Sequence, residues 1–169
     1  MISGIPEIEQ LTALCSELIS DASKKGLTIS TAESCTGGMI AGFLTAVPGS
    51  SQVFLGGVVA YSNDLKMKAL GVSADTLENY GAVSAETALE MVRGVMELTG
   101  ADLSAAVTGV AGPTGGSKEK PVGHVCFAVR SSHGQEQVIT CQFSGDREQV
   151  RFESVRKSLL LLRTLCSQF

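Results

Sequence analysis

Histidine is scarce in this sequence, which contains only His124 and His133. Histidine is the most frequent metal ligand and a frequent general base, so its scarcity argues against a histidine-based metal site. His124 begins a predicted strand and His133 lies in a predicted turn. Either could in principle serve as a base, but pocket-lining or surface roles fit both better, so another side chain is the better candidate.

Cysteine is also used sparingly, and no two of the five cysteines have the Cys-x-x-Cys spacing of a zinc site. An odd, scattered set predicts free thiols in a reducing compartment. We expect four of them to be small core residues and the one beside Ser34 to be the candidate for reactivity. The four are Cys15, Cys126, Cys141 and Cys166, and the candidate is Cys35.

The sequence has neither a basic excess nor a long apolar run. Its formal net charge is −4, and charged residues make up 18% of the chain. Non-specific nucleic-acid binding needs a clustered basic face, so we expect no nucleic-acid partner. No apolar stretch reaches transmembrane length, and residues 1–7 lack a signal-peptide pattern. These observations predict a cytoplasmic protein with no membrane partner.

What the sequence does contain is a regular alternation of strand and helix patterns over 169 residues, of which 44% are hydrophobic. This predicts one domain, residues 1–169, of the α/β class. A late hairpin at 131–134 makes the predicted sheet mixed. The predicted helices are 6–25, 37–47, 62–71, 73–80, 84–100 and one beginning at 145–146, and the predicted strands are 27–32, 53–61, 103–108, 122–130 and 137–143.

Three loops follow predicted strands, where ligands bind in such sheets. The first contains Ser34 at a strand-to-helix junction, where free N–H groups could hold an anion or an oxyanion. A simpler interpretation is that Ser34 or Thr36 only caps the helix. The second loop runs from Tyr61 to Lys66. The third is the glycine-rich segment 109–116, which matches neither a P-loop nor a dinucleotide fingerprint and could be a flexible surface loop.

A serine nucleophile needs a base within hydrogen-bond reach, and Lys66 is the leading candidate. An ordinary solvated lysine remains the alternative from spacing alone. Tyr61 could donate a hydrogen bond to a serine–lysine pair, stack on a substrate ring, or simply end a strand with its hydroxyl in water. Arg147 and Arg151, one helical turn apart, could bind a phosphate or lie on a solvated face.

Five ordered blocks give a stronger signal than any one of them. The chain resembles the CinA C-terminal domain family, which includes nicotinamide-nucleotide amidohydrolases of the PncC type, from about Ile8 to Leu165. The blocks are Thr31-Ala32-Glu33-Ser34-Cys35-Thr36-Gly37-Gly38, Val59-Ala60-Tyr61-Ser62-Asn63-Asp64-Leu65-Lys66, Thr108-Gly109-Val110-Ala111-Gly112-Pro113-Thr114-Gly115-Gly116, Lys120-Pro121-Val122-Gly123 and Phe143-Ser144-Gly145-Asp146-Arg147.

The resemblance implies a three-layer α/β/α sandwich that hydrolyses nicotinamide mononucleotide to nicotinate mononucleotide and ammonia. The family's serine nucleophile, tyrosine and lysine fall on Ser34, Tyr61 and Lys66. It implies no metal or other cofactor, a small-molecule nucleotide substrate, and a homodimer or higher homo-oligomer. We predict substrate-binding roles for Glu33, Cys35, Thr36, Gly37, Thr108, Gly109, Ala111, Gly112 and Arg147.

Two alternatives stay open at this point. A thiolate at a helix N-terminus is a plausible nucleophile, so Cys35 could replace Ser34. The chain could also be a non-catalytic nucleotide-binding or regulatory module. The joint presence of Ser34, Tyr61 and Lys66 argues for an enzyme, because a binding module has no need of all three.

Overall fold

A computed structural model describes residues 5–169, with side chains from Glu7 onward. The prediction that no signal peptide is present rests partly on residues 1–4, which lie outside the described residues. None of the described helices is long and apolar enough to cross a membrane. The helices are α1 (Ile5–Lys25), α2 (Met39–Thr45), α3 (Asn63–Leu70), α4 (Ala74–Tyr80), α5 (Ala85–Thr99) and α6 (Arg147–Ser167), and the strands are β1 (Ile29–Glu33), β2 (Phe54–Val59), β3 (Leu103–Gly109), β4 (His124–Ser131) and β5 (Glu136–Gln142).

The five strands form one mixed sheet in the order β2-β1-β3-β4-β5. Strand β1 pairs in parallel with both β2 and β3, whereas β4 is antiparallel to β3 and β5. The carboxyl ends of β1, β2, β3 and β5 therefore meet at one edge, together with the amino end of β4. The segment after β5 leads straight into α6, so the start of α6 lies at this edge as well.

Helices cover both faces of the sheet, which confirms the predicted three-layer α/β/α sandwich. The alternation of side chains along β3 explains the two cores. Leu103, Ala105 and Val107 pack with α1, α2 and α6. Ala106 points to the opposite face, where it packs with α3 and α5. Helix α5 packs on one face of the sheet and α6 on the other, each through its buried side.

The predicted elements match the observed ones with small differences at their ends. Helix α2 begins at Met39 and not at 37, because Gly37 and Gly38 are in the left-handed region with φ of 64° and 93°. Two adjacent glycines within a strand, Gly56 and Gly57, are typical of a bulge or a close backbone approach, and β2 has an irregularity beside them. Ile29 pairs with Phe54 and Ser30 with Gly56, so one extra β2 residue interrupts the register.

Helices α3 and α5 approach each other closely at Gly94. A Cβ atom at this position would overlap the backbone carbonyl of Leu70, the last residue of α3. Only glycine fits there without moving a helix. The contact fixes the position of α3 on the sheet, and α3 carries Lys66.

We expect Gly94→Ala to lower the free energy of unfolding by about 1–3 kcal/mol, because the added methyl group overpacks the α3–α5 contact. Chemical denaturation measures the change. Gly42→Ala is the matched control, since a Cβ at Gly42 of α2 meets nothing within 4 Å. That variant should be neutral or more stable by up to about 1 kcal/mol. Equal effects in the two variants would contradict the packing argument.

Candidate active site

The loops after β1 and β2 are joined at the edge of the sheet by backbone hydrogen bonds. The Ser34 N–H donates to the Val107 carbonyl at 3.0 Å, and the Ala60 N–H donates to the Glu33 carbonyl at 2.8 Å. These bonds continue the parallel pairing beyond the strand ends. They place Ser34 between the end of β3 and the segment that leads to α3.

The buried Glu33 side chain caps the N-terminus of α2 by accepting hydrogen bonds from its first N–H groups. This side chain is 1% exposed. One carboxylate oxygen accepts from Thr36 Oγ1 at 2.7 Å and from the Gly38 and Ile40 N–H groups at 3.0 Å, and the other accepts from the Ala41 N–H at 2.8 Å. A carboxylate at a helix N-terminus is stabilised by the helix dipole. The substrate-binding role predicted for Glu33 is not supported by this geometry, and the N-terminus of α2 is not open to a ligand anion.

The loop between β1 and α2 instead offers two other backbone donors. The Gly37 N–H donates to the Ser34 carbonyl at 3.1 Å, which closes a tight turn. The left-handed conformations of Gly37 and Gly38 allow this turn without strain on a side chain. Within residues 5–169, the N–H groups of Cys35 and Thr36 have no hydrogen-bond partner. Both groups directly follow Ser34 in the chain.

Lys66 projects from the first turns of α3 towards Ser34. The Ser62 hydroxyl caps α3 by accepting from the Leu65 N–H at 3.1 Å, which sets the start of the helix. Lys66 is 1% exposed and Ser34 is 8% exposed. The Lys66 Nζ lies 3.0 Å from Ser34 Oγ and donates to the Ala60 carbonyl at 2.8 Å. The structure thus brings the predicted nucleophile and the predicted base into direct contact.

Burial is the main influence on the charge of Lys66. It lowers the pKa of the amine from its ordinary value of 10.5, and the neighbouring Cys35 opposes this shift. In the described part of the chain, no carboxylate lies within 4 Å of Nζ. A lowered pKa increases the neutral fraction of the amine, and a neutral amine can accept a proton from Ser34.

Cys35 is a weaker candidate nucleophile than its position in the sequence indicates. Its side chain is buried in the core formed with α1, α2 and α6. Burial raises the pKa of the thiol to about 12, and the backbone N–H of Cys35 and the charges of Arg151 and Lys66 offset only part of this. The thiolate is therefore scarce near neutral pH, whereas nucleophilic cysteines have a lowered pKa. Of the other cysteines, Cys141 is half-buried and three are buried, namely Cys15, Cys126 and Cys166.

Tyr61 lies at the rim of this edge and does not contact the Ser34–Lys66 pair through its hydroxyl. The ring is 63% exposed. Its hydroxyl accepts from Arg147 Nη2 at 3.2 Å, and Arg147 Nη1 donates to the Gly112 carbonyl at 2.8 Å. Arg147 thus joins the end of β2 to the glycine-rich loop. The hydrogen bond that Tyr61 could have donated to the serine–lysine pair is replaced by this contact.

The other predicted substrate-binding residues differ in their solvent exposure. Thr108 is buried, and its hydroxyl donates to the Ala82 carbonyl at 2.6 Å, so its side chain anchors the α4–α5 connection. Ala111 and Gly112 are also buried, as is Thr36, whose hydroxyl is bound to Glu33. Gly109 is half-buried, and Gly37 and Arg147 are exposed. Buried residues can contribute only through the backbone.

Neither histidine contacts the Ser34–Lys66 pair. His124 Nε2 lies 3.7 Å from Cys126 Sγ, and His133 stacks on Phe169 with ring centroids 4.4 Å apart. Among the described residues, no group of three or more histidine, cysteine, aspartate or glutamate side chains could hold a metal ion. Sequence reasoning missed the carbonyls of Ala60 and Val107, because a backbone acceptor leaves no residue-type signal.

Comparison with known proteins places this chain in a known family. A family model described as the CinA C-terminal domain matches residues 11–166. A CinA-like protein from Desulfotalea psychrophila is 51% identical over 140 residues, which cover 83% of this chain and 34% of that protein. The chain spans about a third of the length of the curated relatives it matches, 34–39% in the first three.

Solved structures agree in sequence and in fold. The crystal structure of the competence/damage inducible protein CihA from Agrobacterium tumefaciens is 44% identical, with a TM-score of 0.91, and the match covers 92% of this chain and 94% of that one. A CinA superfamily protein from Klebsiella pneumoniae is 34% identical, with a TM-score of 0.90 and coverage of 94% and 99%. The structural match extends over nearly the whole of both proteins.

The buried amine makes stability depend on pH in a defined direction. Between the lowered pKa of Lys66 and 10.5, the unfolded state binds more protons than the folded state. The free energy of unfolding therefore rises as pH increases through this window, and the penalty is fully present below the folded pKa. Lys66→Met should lose this rise. Lys68→Met, which removes an exposed lysine of the same helix, should keep it.

Chemical denaturation of the native protein and both variants, from neutral pH to about pH 10, measures this difference. The stability of Lys66→Met relative to Lys68→Met should be greatest at the low end and should decrease as pH rises. Parallel curves for the two variants would show that the pKa of Lys66 is not lowered.

We expect Cys35 to resist alkylation in the folded protein, because its thiol is buried and protonated. Iodoacetamide should label the half-buried Cys141 first. Mass spectrometry of peptides from folded and urea-unfolded samples measures the order of labelling, and the unfolded sample should label at all five cysteines. Faster labelling of Cys35 than of Cys141 in the folded protein would restore the thiol nucleophile as a candidate.

Proposed function

The chain belongs to the CinA C-terminal domain family, and we propose that it is a serine amidohydrolase that converts nicotinamide mononucleotide and water to nicotinate mononucleotide and ammonia. The observation that carries this proposal is the 3.0 Å contact between Lys66 Nζ and Ser34 Oγ at a buried position. The contact joins a hydroxyl that can act as a nucleophile to an amine that can act as its base. Serine–lysine pairs are a recognised arrangement of nucleophile and base.

The first step forms a bond between Ser34 and the carboxamide. Neutral Lys66 accepts the Ser34 hydroxyl proton while Oγ attacks the carboxamide carbon. The electron pair of the C=O bond moves to oxygen and gives a tetrahedral oxyanion. The Ala60 carbonyl, which accepts from Nζ at 2.8 Å, keeps the amine oriented and stabilises the ammonium that forms.

The oxyanion needs hydrogen-bond donors next to Ser34. The free N–H groups of Cys35 and Thr36 are the best placed, because the helix N–H groups of Gly38, Ile40 and Ala41 are already bound to Glu33. Loss of one such donor typically raises a reaction barrier by ~3 kcal/mol. The proposed oxyanion hole therefore belongs to the loop and not to the helix end.

The tetrahedral intermediate then collapses, and the C=O bond forms again. The Lys66 ammonium donates its proton to the leaving nitrogen, the C–N bond breaks, and ammonia departs from an ester on Ser34. Neutral Lys66 next accepts a proton from water, and the hydroxide attacks the ester carbon. Release of the carboxylate returns the proton to Ser34 Oγ. One water is consumed and one ammonia is produced.

The nucleotide phosphate needs a cationic partner near this edge. Two helix N-termini there are closed by carboxylates of the chain itself, α2 by Glu33 and α6 by Asp146 in a capping box. Arg147 is exposed and lies against the glycine-rich loop, so we assign the phosphate to Arg147 and that loop. The exposed ring of Tyr61 is then placed to stack on the pyridine. A homodimer or higher oligomer, a cytoplasmic location and a single domain over 1–169 remain predictions.

Ammonia release from nicotinamide mononucleotide by the purified protein, without added metal, tests the proposal. Ser34→Ala and Lys66→Met should each lower kcat by roughly 10⁴-fold or more, as for residues that act as one catalytic unit. Ser51→Ala and Lys68→Met are the matched controls and should stay within about twofold of the native rate, since both residues are exposed.

Full activity in Ser34→Ala would exclude Ser34 as the nucleophile. Binding of nicotinamide mononucleotide by a folded native protein that releases no ammonia would favour the non-catalytic nucleotide-binding module. Calorimetric titration on the same preparation separates these outcomes.

A further inference from the structure

Arg151 contacts the loop that follows the proposed nucleophile. It lies one turn after Arg147 on α6, but the two guanidinium groups have different partners. Arg151 Nη2 donates to the Thr36 carbonyl at 2.8 Å, across 115 positions of sequence. Arg147 instead contacts Gly112 and Tyr61. The pair of arginines that the sequence suggests for one phosphate is therefore divided between two tasks.

Every polar group of Thr36 except its backbone N–H makes a hydrogen bond within the described part of the chain. Its hydroxyl donates to Glu33 at 2.7 Å, and its carbonyl accepts from Arg151 and from the Met39 N–H at 3.3 Å. The next N–H, that of Gly37, donates back to the Ser34 carbonyl. The peptide plane between Thr36 and Gly37 is thus fixed at both its carbonyl and its N–H. The Ser34 carbonyl that accepts this bond shares a peptide plane with the Cys35 N–H, and the Thr36 N–H lies in the plane between these two fixed planes.

Arg151 is the one side chain outside the β1–α2 segment that hydrogen-bonds to residues 35–37 in the described part of the chain. Its Nε is buried and has no hydrogen-bond partner there, and no carboxylate lies within 4 Å of its guanidinium. An incompletely paired buried cation costs stability. Among the described residues, the Thr36 carbonyl is the one hydrogen-bond acceptor of the guanidinium, so the positive charge of Arg151 is directed to this loop.

We propose that Arg151 is a positioning residue that fixes the loop 35–37 in the conformation presenting the Cys35 and Thr36 N–H groups to the oxyanion. The inference rests on the proposed amidohydrolase function for its catalytic part. Arg151 acts through the Thr36 carbonyl and does not touch the substrate. Its positive charge, held beside the loop, also adds a favourable potential for the negative oxygen that forms there.

The first test observes the loop directly and does not depend on turnover. In ¹⁵N–¹H spectra of the full chain, Arg151→Met should shift or broaden the amide resonances of Cys35, Thr36 and Gly37. Arg156→Met removes an exposed arginine of the same helix and is the control. It should leave those three resonances unchanged. Unmoved resonances in Arg151→Met would overturn the proposal whatever the activity.

The second test measures kinetics with nicotinamide mononucleotide. We expect Arg151→Met to lower kcat roughly 10- to 100-fold with KM near the native value, since misplacement of catalytic groups affects the rate of the chemical step. The midpoint of the kcat–pH profile should not move, because Lys66 is not altered. Arg151→Lys should recover part of kcat and also serves if Arg151→Met fails to fold. Arg156→Met should match the native protein.

The remaining outcomes are distinguishable. An increase in KM with unchanged kcat would make Arg151 a substrate-binding residue and would overturn the positioning role. Shifted loop resonances together with a native kcat would also overturn the positioning role. A native protein that releases no ammonia would refute the proposed function, while the spectra would still decide whether Arg151 fixes the loop.

Discussion

A lysine amine that is withdrawn from water without a counter-ion is the constraint on which the rest of this site depends. Burying the charged form of Lys66 is costly, so burial favours the neutral amine and lowers its pKa. Its two hydrogen-bond partners, Ser34 Oγ and the Ala60 carbonyl, come from two different strand ends. The parallel pairing of β1 with β2 brings them together, and the close α3–α5 contact at Gly94 holds the helix that carries the amine.

The buried carboxylate of Glu33 and the half-buried guanidinium of Arg151 both bind the short loop that follows Ser34. Glu33 binds the N–H groups at the start of α2 and the hydroxyl of Thr36, and Arg151 binds the Thr36 carbonyl. A helix N-terminus is a ready anion site only when its N–H groups are free. Here the chain fills that site with its own carboxylate. In the proposed mechanism the donors for the oxyanion are those of the loop, which a residue of the sequence-distant helix α6 contacts.

Much of the fold could be predicted, because alternating strand and helix patterns are local properties of the chain. The extra β2 residue, Leu55, which precedes Gly56 and Gly57, and the serine caps of α3, α4 and α5 carry local signals of the same kind. The candidate site was predicted less completely. Ser34 and Lys66 lie together as expected, but Tyr61 contacts Arg147, Cys35 faces the core, and Glu33 caps a helix. Each of these outcomes depends on the direction of a side chain at the end of a strand. The spacing of residues in the sequence does not specify that direction.

The sequence by itself determined the class of fold, the strand-to-helix junction at Ser34 and the set of groups able to do chemistry, because periodicity, glycines and residue type are properties of the chain alone. Tertiary structure decided which of those groups meet and in what state of charge. Lys66 becomes a candidate base because it is buried and because its amine donates to the carbonyl of Ala60, the residue after β2. Arg151 hydrogen-bonds to Thr36, which lies 115 positions earlier in the sequence. Desolvation and long-range hydrogen bonds exist only once the sheet and both helical layers are assembled.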